Sequence, residues 1–356
     1  MTTRRAFLAG MLAAGAVPKP GWAEVGNPAF LAAAKDPDGR YAVYGLRADG
    51  AEAFRVPIPA RGHAGAGHPT RAEAVAFARR PGNFAFVLDA ATGDVLHRFA
   101  PPDGHHFNGH GSYADEGATL LTAEQRAADS QGFVGLWDTR AGYRRMGQIP
   151  TQGLGPHELL LMPDGYTIAV ANGGIQTDPK DRSKLNIPTM RPSLAYFTLD
   201  GELLDKAELP DDLHMNSIRH LAVRADGLVA FAMQWQGEYG LAHPLLGTHR
   251  IGGEVRLHSA PLGEQLAMQD YAGSVAFSAS GEEIAITSPR GGWLHRFGAD
   301  GAFLGAVKRA DICGLATHPD GLFASDGQGA VMAITPRGPR LLARFNRAWD
   351  NHVVAL

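Results

Sequence analysis

The chain has 356 residues, a formal net charge of −3 and a single cysteine. A chain of this length can bury a large hydrophobic core, and one cysteine excludes an intramolecular disulfide. The near-neutral charge, with basic residues scattered along the chain, argues against a nucleic-acid partner. Forty-five glycines lie between many short apolar runs, a composition that favours an all-β protein rich in turns.

The first 23 residues have the three parts of an export signal. Arg4 and Arg5 precede an apolar run, and small residues just before Glu24 suit cleavage there. The order Thr-Arg-Arg-Ala-Phe-Leu resembles a twin-arginine signal, whereas an ordinary secretory signal that carries two arginines is the alternative. We expect residues 1–23 to be a signal peptide and residues 24–356 to be one exported, periplasmic domain without a membrane span.

A hairpin signal recurs along the predicted mature chain. In each copy an apolar run of β type is broken by a short turn ending in glycine and then resumes. Seven copies occur, 37 to 62 residues apart, with turn glycines at Gly50, Gly93, Gly142, Gly201, Gly263, Gly301 and Gly338. A period of about 40–50 residues with several strands per unit is typical of a β-propeller blade. The sequence therefore predicts a seven-bladed β-propeller, and a β-sandwich with accidental spacing is the alternative.

The last predicted blade takes its strands from both ends of the chain. "DNHVVAL" at the C-terminus offers only an innermost strand, whereas "FLAAAK", "YAVYGL" and "AFRVPI" near the N-terminus supply three more. Pairing the two ends in one sheet removes the exposed edges that an open ring would leave. We expect the ring to close in this way.

Histidines recur where the innermost strand of each unit is predicted to begin. In "HHFNGHGSY" (105–113), His105 and His106 are assigned to the preceding loop and His110 to the strand. Equivalent positions in closed rings converge on the axis, and several neutral imidazoles suit copper, zinc or iron. The carboxylates that calcium or magnesium prefers are missing. We therefore predict an iron or copper site at the axis, formed by His68, His110, His157, His220 and His352, with Cys313 in the sixth equivalent position. Hydrogen bonding of these histidines to water and backbone carbonyls is the alternative.

Long polar loops are predicted to gather on one face of the ring. The longest are residues 171–193 and 234–253, between the second and third strands of their units. Such loops on a rigid scaffold often carry function. Candidate channel-mouth residues are Glu124, Arg182, Gln234 and Arg290, with Glu158 as a hydrogen-bond acceptor for a ligand imidazole. Each is equally explained as a surface residue or salt-bridge partner. Six further histidines are assigned to loops or insertions: His63, His105, His106, His214, His243 and His249.

Eight segments together resemble DUF1513, a family of exported bacterial proteins. They are "FNGHGSYADEG", "GPHELLLMPDG", "VANGGIQTDP", "LNIPTMRPSL", "SIRHLAV", "YAGSVAFS", "SPRGG" and "CGLA", and the similarity covers essentially the whole mature chain. The resemblance implies a seven-bladed propeller. It also implies a periplasmic role in iron or copper handling, with imelysin-type iron-regulated proteins as partners, because the family tends to be encoded beside these and dihaem peroxidase-like proteins. A weaker likeness is to the propeller of nitrous oxide reductase, whose channel histidines hold copper. Too few histidines and no cupredoxin domain are present here for that reaction.

Three classes of function remain open. The leading one is a periplasmic propeller that binds, stores or transfers a transition metal, with or without redox activity. The second is a lactonase or other hydrolase that recruits Asn172, Glu124 and Arg290 at the channel mouth, although no Ser-His-Asp spacing or nucleophile elbow supports it. The third is a scaffold that docks periplasmic metal carriers through the loops 171–193 and 234–253.

Overall fold

Seven antiparallel sheets of four strands form a closed ring. Six of the seven predicted turn glycines lie at turns between the third and fourth strands of a blade. Gly263 does not, because it lies in the helix Leu262–Ala267, and the corresponding turn joins Leu246–His249 to Arg256–His258. The computed structural model describes residues 21–78 and 83–356. The predicted seven-bladed β-propeller is thus confirmed. Most of the predicted signal peptide, residues 1–20, lies outside the described residues.

We number the blades in chain order and give their strands from the axis outward. Blade 1 contains Gly62–Gly67, Glu73–Ala78, Ala85–Asp89 and Val95–Phe99; blade 2 contains His105–Ala114, Thr119–Arg126, Gln131–Asp138 and Arg144–Leu154. Blade 3 contains Pro156–Leu161, Thr167–Asn172, Ser193–Thr198 and Leu203–Glu208; blade 4 contains Asn216–Val223, Val229–Trp235, Leu246–His249 and Arg256–His258. Blade 5 contains Ser274–Phe277, Glu283–Ser288, Trp293–Gly298 and Phe303–Lys308; blade 6 contains Ile312–His318, Gly321–Asp326, Ala330–Thr335 and Gly338–Arg344.

Blade 7 joins the two ends of the chain. Its innermost strand is C-terminal, and its other three are N-terminal: Ala348–Ala355, Phe30–Lys35, Tyr41–Leu46 and Glu52–Ile58. Phe30 pairs with Ala355, and Lys35 pairs with Ala348. This confirms the predicted closure, in which the two ends of the chain pair in one sheet.

Helices are short and lie in the connections between strands. One α-helix, Leu262–Ala267, leads from blade 4 to blade 5. Single 3₁₀ turns occur at Trp22–Val25, Asp115–Gly117, Ile187–Thr189 and Asp211–Leu213. Within the described part of the chain, no helix has the length and apolar character needed to cross a membrane.

The hydrophobic core is divided into slabs between neighbouring blades. Second and third strands are buried on both faces, so the side chains of one blade pack against those of the next. Between blades 6 and 7, for example, Phe30 stacks on Phe323 with ring centroids 4.1 Å apart, and Val331 and Trp349 complete the same cluster. Outer strands are mostly solvated. This packing fixes the inner strands around the axis.

Candidate metal centre

The innermost strands of six blades are irregular at the same place. Their pairing with the second strand skips between Gly62 and Gly65, Phe107 and Gly111, Pro156 and Leu159, Ile218 and His220, Ile312 and Leu315, and Trp349 and Val353. A β-bulge re-aims side chains that a regular ladder would direct into the sheet packing. Blade 5 pairs regularly at this place and carries Ser274 there.

Five of the six bulges place a histidine at the axis. Ring centroids of neighbouring pairs lie 4.4 to 5.8 Å apart, as in His63–His352 at 4.4 Å and His157–His220 at 4.7 Å. We call the five the axial histidine cluster; its members are His63, His110, His157, His220 and His352.

The ring nitrogens of this cluster form two overlapping triads. His63, His110 and His352 form one, and His110, His157 and His220 form the other. Within each triad the candidate ligand atoms lie no more than 4.8 Å from one another. Imidazole nitrogens bind transition metals at about 2.0–2.1 Å, so the three nitrogens of a triad would have to move closer together to share one ion. His110 belongs to both triads and is the centre of the cluster.

Glu158 orients two of the imidazoles. Its Oε1 lies 3.4 Å from Nδ1 of His110, and its Oε2 lies 3.3 Å from Nδ1 of His220. The same Oε2 accepts a hydrogen bond of 2.8 Å from the backbone N–H of Leu221. A carboxylate on one ring nitrogen fixes the tautomer and orients the other nitrogen for a metal. The Nε2 of His110 is accordingly buried without a hydrogen-bond partner.

The electrostatic setting disfavours protonation of two of the axial histidines, His157 and His220. Burial, then the nearby His220, His110 and Arg219, lowers the pKa of His157 well below its usual value. Burial also lowers the pKa of His220, although Glu158 opposes this. Burial alone would raise the pKa of Glu158, but His110 and His220 outweigh it and hold that pKa far below its usual range. Neutral imidazoles beside a carboxylate anion are the protonation states that metal binding requires.

His68 does not join the cluster, contrary to the sequence-based placement. The inner strand of blade 1 begins at Gly62 and ends at Gly67, so His63 occupies the axial position and His68 lies beyond the far end. There its Nδ1 accepts hydrogen bonds from the backbone N–H groups of Thr70 and Arg71. His68 therefore stabilises the turn to the second strand.

His63 escaped detection because its strand, "GHAGAG", contains no β-branched or aromatic residue. The only indication of a strand in this segment is a period of two, in which Gly62, Ala64 and Ala66 alternate with His63, Gly65 and Gly67. The first three are buried, and the other three are not. His105 and His106 were assigned to a loop but begin the inner strand of blade 2. Neither belongs to the two triads.

The other predicted site residues have separate environments. Cys313 occupies the sixth bulge, but it is buried away from the triads, where its Sγ lies 3.4 Å from the carbonyl oxygen of Asp350. Glu124 is fully buried within blade 2, where its carboxylate accepts hydrogen bonds from Thr122 and Arg145. It is therefore a structural ion-pair partner and not a channel-mouth residue.

The residues recruited for a lactonase site do not converge. Asn172 is fully buried, and its amide donates to the carbonyl oxygen of Thr151 and to Ser193. With Glu124 also buried inside its blade, Arg290 alone of the three reaches the channel mouth.

A cavity of about 330 Å³ opens above the axial histidine cluster. His63, His157, His220 and His352 form its floor, and the two long loops predicted from the sequence form much of its wall. Arg182 and Lys184 come from the first loop, Gln234 and Tyr239 from the second, and Arg290 from blade 5. The axial histidines are therefore reached from the face that carries the long polar loops.

Comparison with known proteins identifies the family. A family profile described as "Protein of unknown function (DUF1513)" matches residues 56–356. The chain belongs to the DUF1513 family. No curated protein matches it. Among solved structures, hydrazine synthase of Kuenenia stuttgartiensis is similar, with 13% identity and a TM-score of 0.60 over 93% of this chain and 98% of that one. At this identity the likeness shows the fold alone.

In this DUF1513 protein a second cavity, of about 260 Å³, lies on the opposite side of the cluster. His110 and Glu158 reach it, but most of its wall is apolar, for example Leu160, Val275 and Phe277. The cluster thus separates a polar entrance from a mostly apolar channel.

Proposed function

We propose that this DUF1513 protein binds a transition metal, iron or copper, at the axial histidine cluster and acts in periplasmic metal uptake or handling. The observation that carries the proposal is the convergence of five imidazoles from five blades on one point. Bulges recur at matched positions in six inner strands, and five of the six carry a histidine that the bulge places at the axis.

The donor set supports this class of metal. The two triads contain nitrogen ligands only, and imidazole suits copper, iron and zinc better than magnesium or calcium. Glu158 supplies the outer hydrogen bonds that ligating histidines ordinarily make. The predicted twin-arginine signal supports a periplasmic location, since this export route carries folded proteins. Imelysin-type proteins are the proposed partners, on the basis of the family resemblance alone.

Elemental analysis of the full chain, exported by its native host and purified without chelator, tests the proposal. We expect iron or copper at one ion per chain, or two if both triads are filled. The double variant His157→Ala/His220→Ala should lose the metal, whereas His97→Ala, on the outer strand of blade 1, should retain it. With Cu²⁺ added to metal-free protein, electron paramagnetic resonance should show nitrogen hyperfine coupling.

Two results would overturn the proposal. One is the absence of metal both from the exported protein and after addition of Fe²⁺, Cu⁺ or Cu²⁺. The other is equal metal content in the double variant and the His97 control.

A further inference from the structure

The cavity above the axial histidine cluster carries an unbalanced positive charge. Arg219 lies deep in it, and Arg182, Lys184 and Arg290 line its outer part. No aspartate or glutamate of the described chain lines this cavity. Among the described residues, no ion pair joins any of the four cations to a carboxylate. Lys184 donates to Oε1 of Gln236 at 2.5 Å, and Arg290 stacks on Tyr271 at 4.4 Å. These contacts position the cations but do not neutralise them.

Arg219 is the strongest indication of a ligand. It is the extra residue of the blade 4 bulge, between Ile218 and His220, so the distortion that places His220 at the axis also directs Arg219 into the cavity. Its Nε is buried without a hydrogen-bond partner. An arginine guanidinium stays charged at neutral pH. A buried guanidinium N–H without an acceptor is costly, and an anion bound there would remove that cost.

The lining indicates which anion fits. Guanidinium groups match the planar carboxylate group bidentately. Phosphate sites typically use a helix N-terminus or a nest of backbone N–H groups, and no helix of the described chain begins in this wall. The positive charge of four cations exceeds the negative charge of one carboxylate, so the lining favours an anion with several carboxylates. A volume of about 330 Å³ lies at the lower end of the range for small-molecule sites, roughly 300–1,000 Å³.

We propose that this cavity binds a small polycarboxylate anion, held by Arg219 and the outer cations directly above the axial histidine cluster. Because four axial histidines form the cavity floor, a bound polycarboxylate contacts the imidazoles and hence a metal held by them. The metal would then arrive or leave as an anionic carboxylate chelate. That last step rests on the proposed function; the affinity of the cavity for the anion does not.

Titration calorimetry of the full-length, metal-free protein with citrate tests the cavity itself. We expect saturable binding that weakens at high salt and weakens about tenfold or more in Arg219→Gln, since a charge-assisted contact is lost. Arg290→Gln, at a position that does not adjoin a histidine ligand, should also weaken binding. It provides the test if Arg219→Gln fails to fold. The matched control is Arg140→Gln, which removes an exposed charge from a turn on the opposite face and should bind like the wild type.

A second titration separates this inference from the proposed function. Citrate added to the Cu²⁺-loaded protein should change the copper resonance spectrum, whereas citrate binding to metal-free protein should survive His157→Ala/His220→Ala. If no metal binds but citrate does, only the metal proposal fails. If metal binds but millimolar citrate gives no heat, or if Arg140→Gln weakens binding as much as Arg219→Gln, the inference is overturned. Tighter binding of pyrophosphate than of citrate would overturn the carboxylate assignment.

Discussion

Glu158 shows how one residue organises several others. One carboxylate contacts Nδ1 of both His110 and His220 and also accepts the backbone N–H of Leu221. It stands next to His157 in the sequence, which suggested a role as acceptor, but its partners come from blades 2 and 4. The partners of Glu158 could not be read from the sequence, because they are set by the angle between neighbouring blades.

Replacing Glu158 by glutamine should lower metal affinity by about 10- to 100-fold, the range known for such supporting hydrogen bonds. The amide keeps the shape but loses the negative charge that favours imidazole ligation. Competition of the full chain with a chelator of known affinity measures the change. Glu116→Gln, on the surface turn of blade 2, serves as a charge-matched control. Unchanged affinity in Glu158→Gln would contradict the role assigned to this carboxylate.

Gly109 makes room for His63. Its φ of +94° favours glycine, and a Cβ there would lie 2.2 Å from Cδ2 of His63. Gly109→Ala should therefore both destabilise the fold, by roughly 1–3 kcal/mol of backbone strain, and displace His63 from its triad. Gly104 also has a positive φ, of +75°, but a Cβ there would meet nothing within 4 Å. Gly104→Ala therefore measures the effect of backbone strain alone. We expect metal affinity to fall in Gly109→Ala only. Equal affinities in the two variants, measured by the same chelator competition, would show that His63 is not a ligand.

His295 is a buried histidine outside the metal centre. It lies in the third strand of blade 5, fully buried, and neither ring nitrogen has a hydrogen-bond partner. Burial lowers its pKa to about 4. Between pH 6.5 and 4 the unfolded chain therefore takes up a proton at this residue and the folded chain does not, so stability falls as the pH falls.

His295→Leu should remove the contribution of this residue to the loss of stability at low pH. From pH 7 to pH 4 the wild type should lose roughly 3 kcal/mol more unfolding free energy than the variant. Urea denaturation of the metal-free proteins at a series of pH values measures both curves. If the curves are parallel, the buried imidazole does not control the pH dependence.

At the scale of elements, contacts of one arginine side chain hold the two chain ends together within blade 7. Arg347, just before the C-terminal strand, lies over the ring of Tyr44 at 3.9 Å and forms an ion pair of 2.8 Å with Glu52. Its guanidinium also lies 5.4 Å from the ring centroid of Trp349. Since Tyr44 and Glu52 belong to the N-terminal strands of blade 7, one side chain links the two ends that close the ring.

Arg347→Ala should cost about 1–2 kcal/mol of unfolding free energy, because it removes a partly buried ion pair and a cation–π contact. Arg340→Ala, which breaks an exposed pair with Asp320, should cost less than about 1 kcal/mol. Denaturant unfolding of both variants checks the difference. A similar loss of unfolding free energy in the two variants would mean that the contacts of Arg347 do not contribute specifically to ring closure.

At the scale of the whole molecule, the closed ring should unfold as one unit. Cys313 reports this, because it is 1% exposed and its Sγ contacts the backbone of Asp350 across the junction of blades 6 and 7. Burial raises the pKa of its thiol to about 12. The native protein should therefore not react with thiol reagents at pH 8, because the thiolate is the reactive form.

Thiol labelling in increasing denaturant should follow the same transition as tryptophan fluorescence. Coincident curves are expected, because every blade packs against two neighbours. Labelling that is complete well before the fluorescence change would show that the junction of blades 6 and 7 opens separately.

The sequence by itself determined the repeat, the seven blades, the shared blade and four of the five axial histidines. These follow from local features, namely turn glycines, apolar alternation and a period, which each segment expresses by itself. The tertiary structure decided that His63 and not His68 lies at the axis, because a bulge in a strand of glycine, alanine and histidine sets that register. It also brought Glu158 onto two histidines and gathered four cations around one cavity, since these distances depend on how distant blades pack and not on any local pattern.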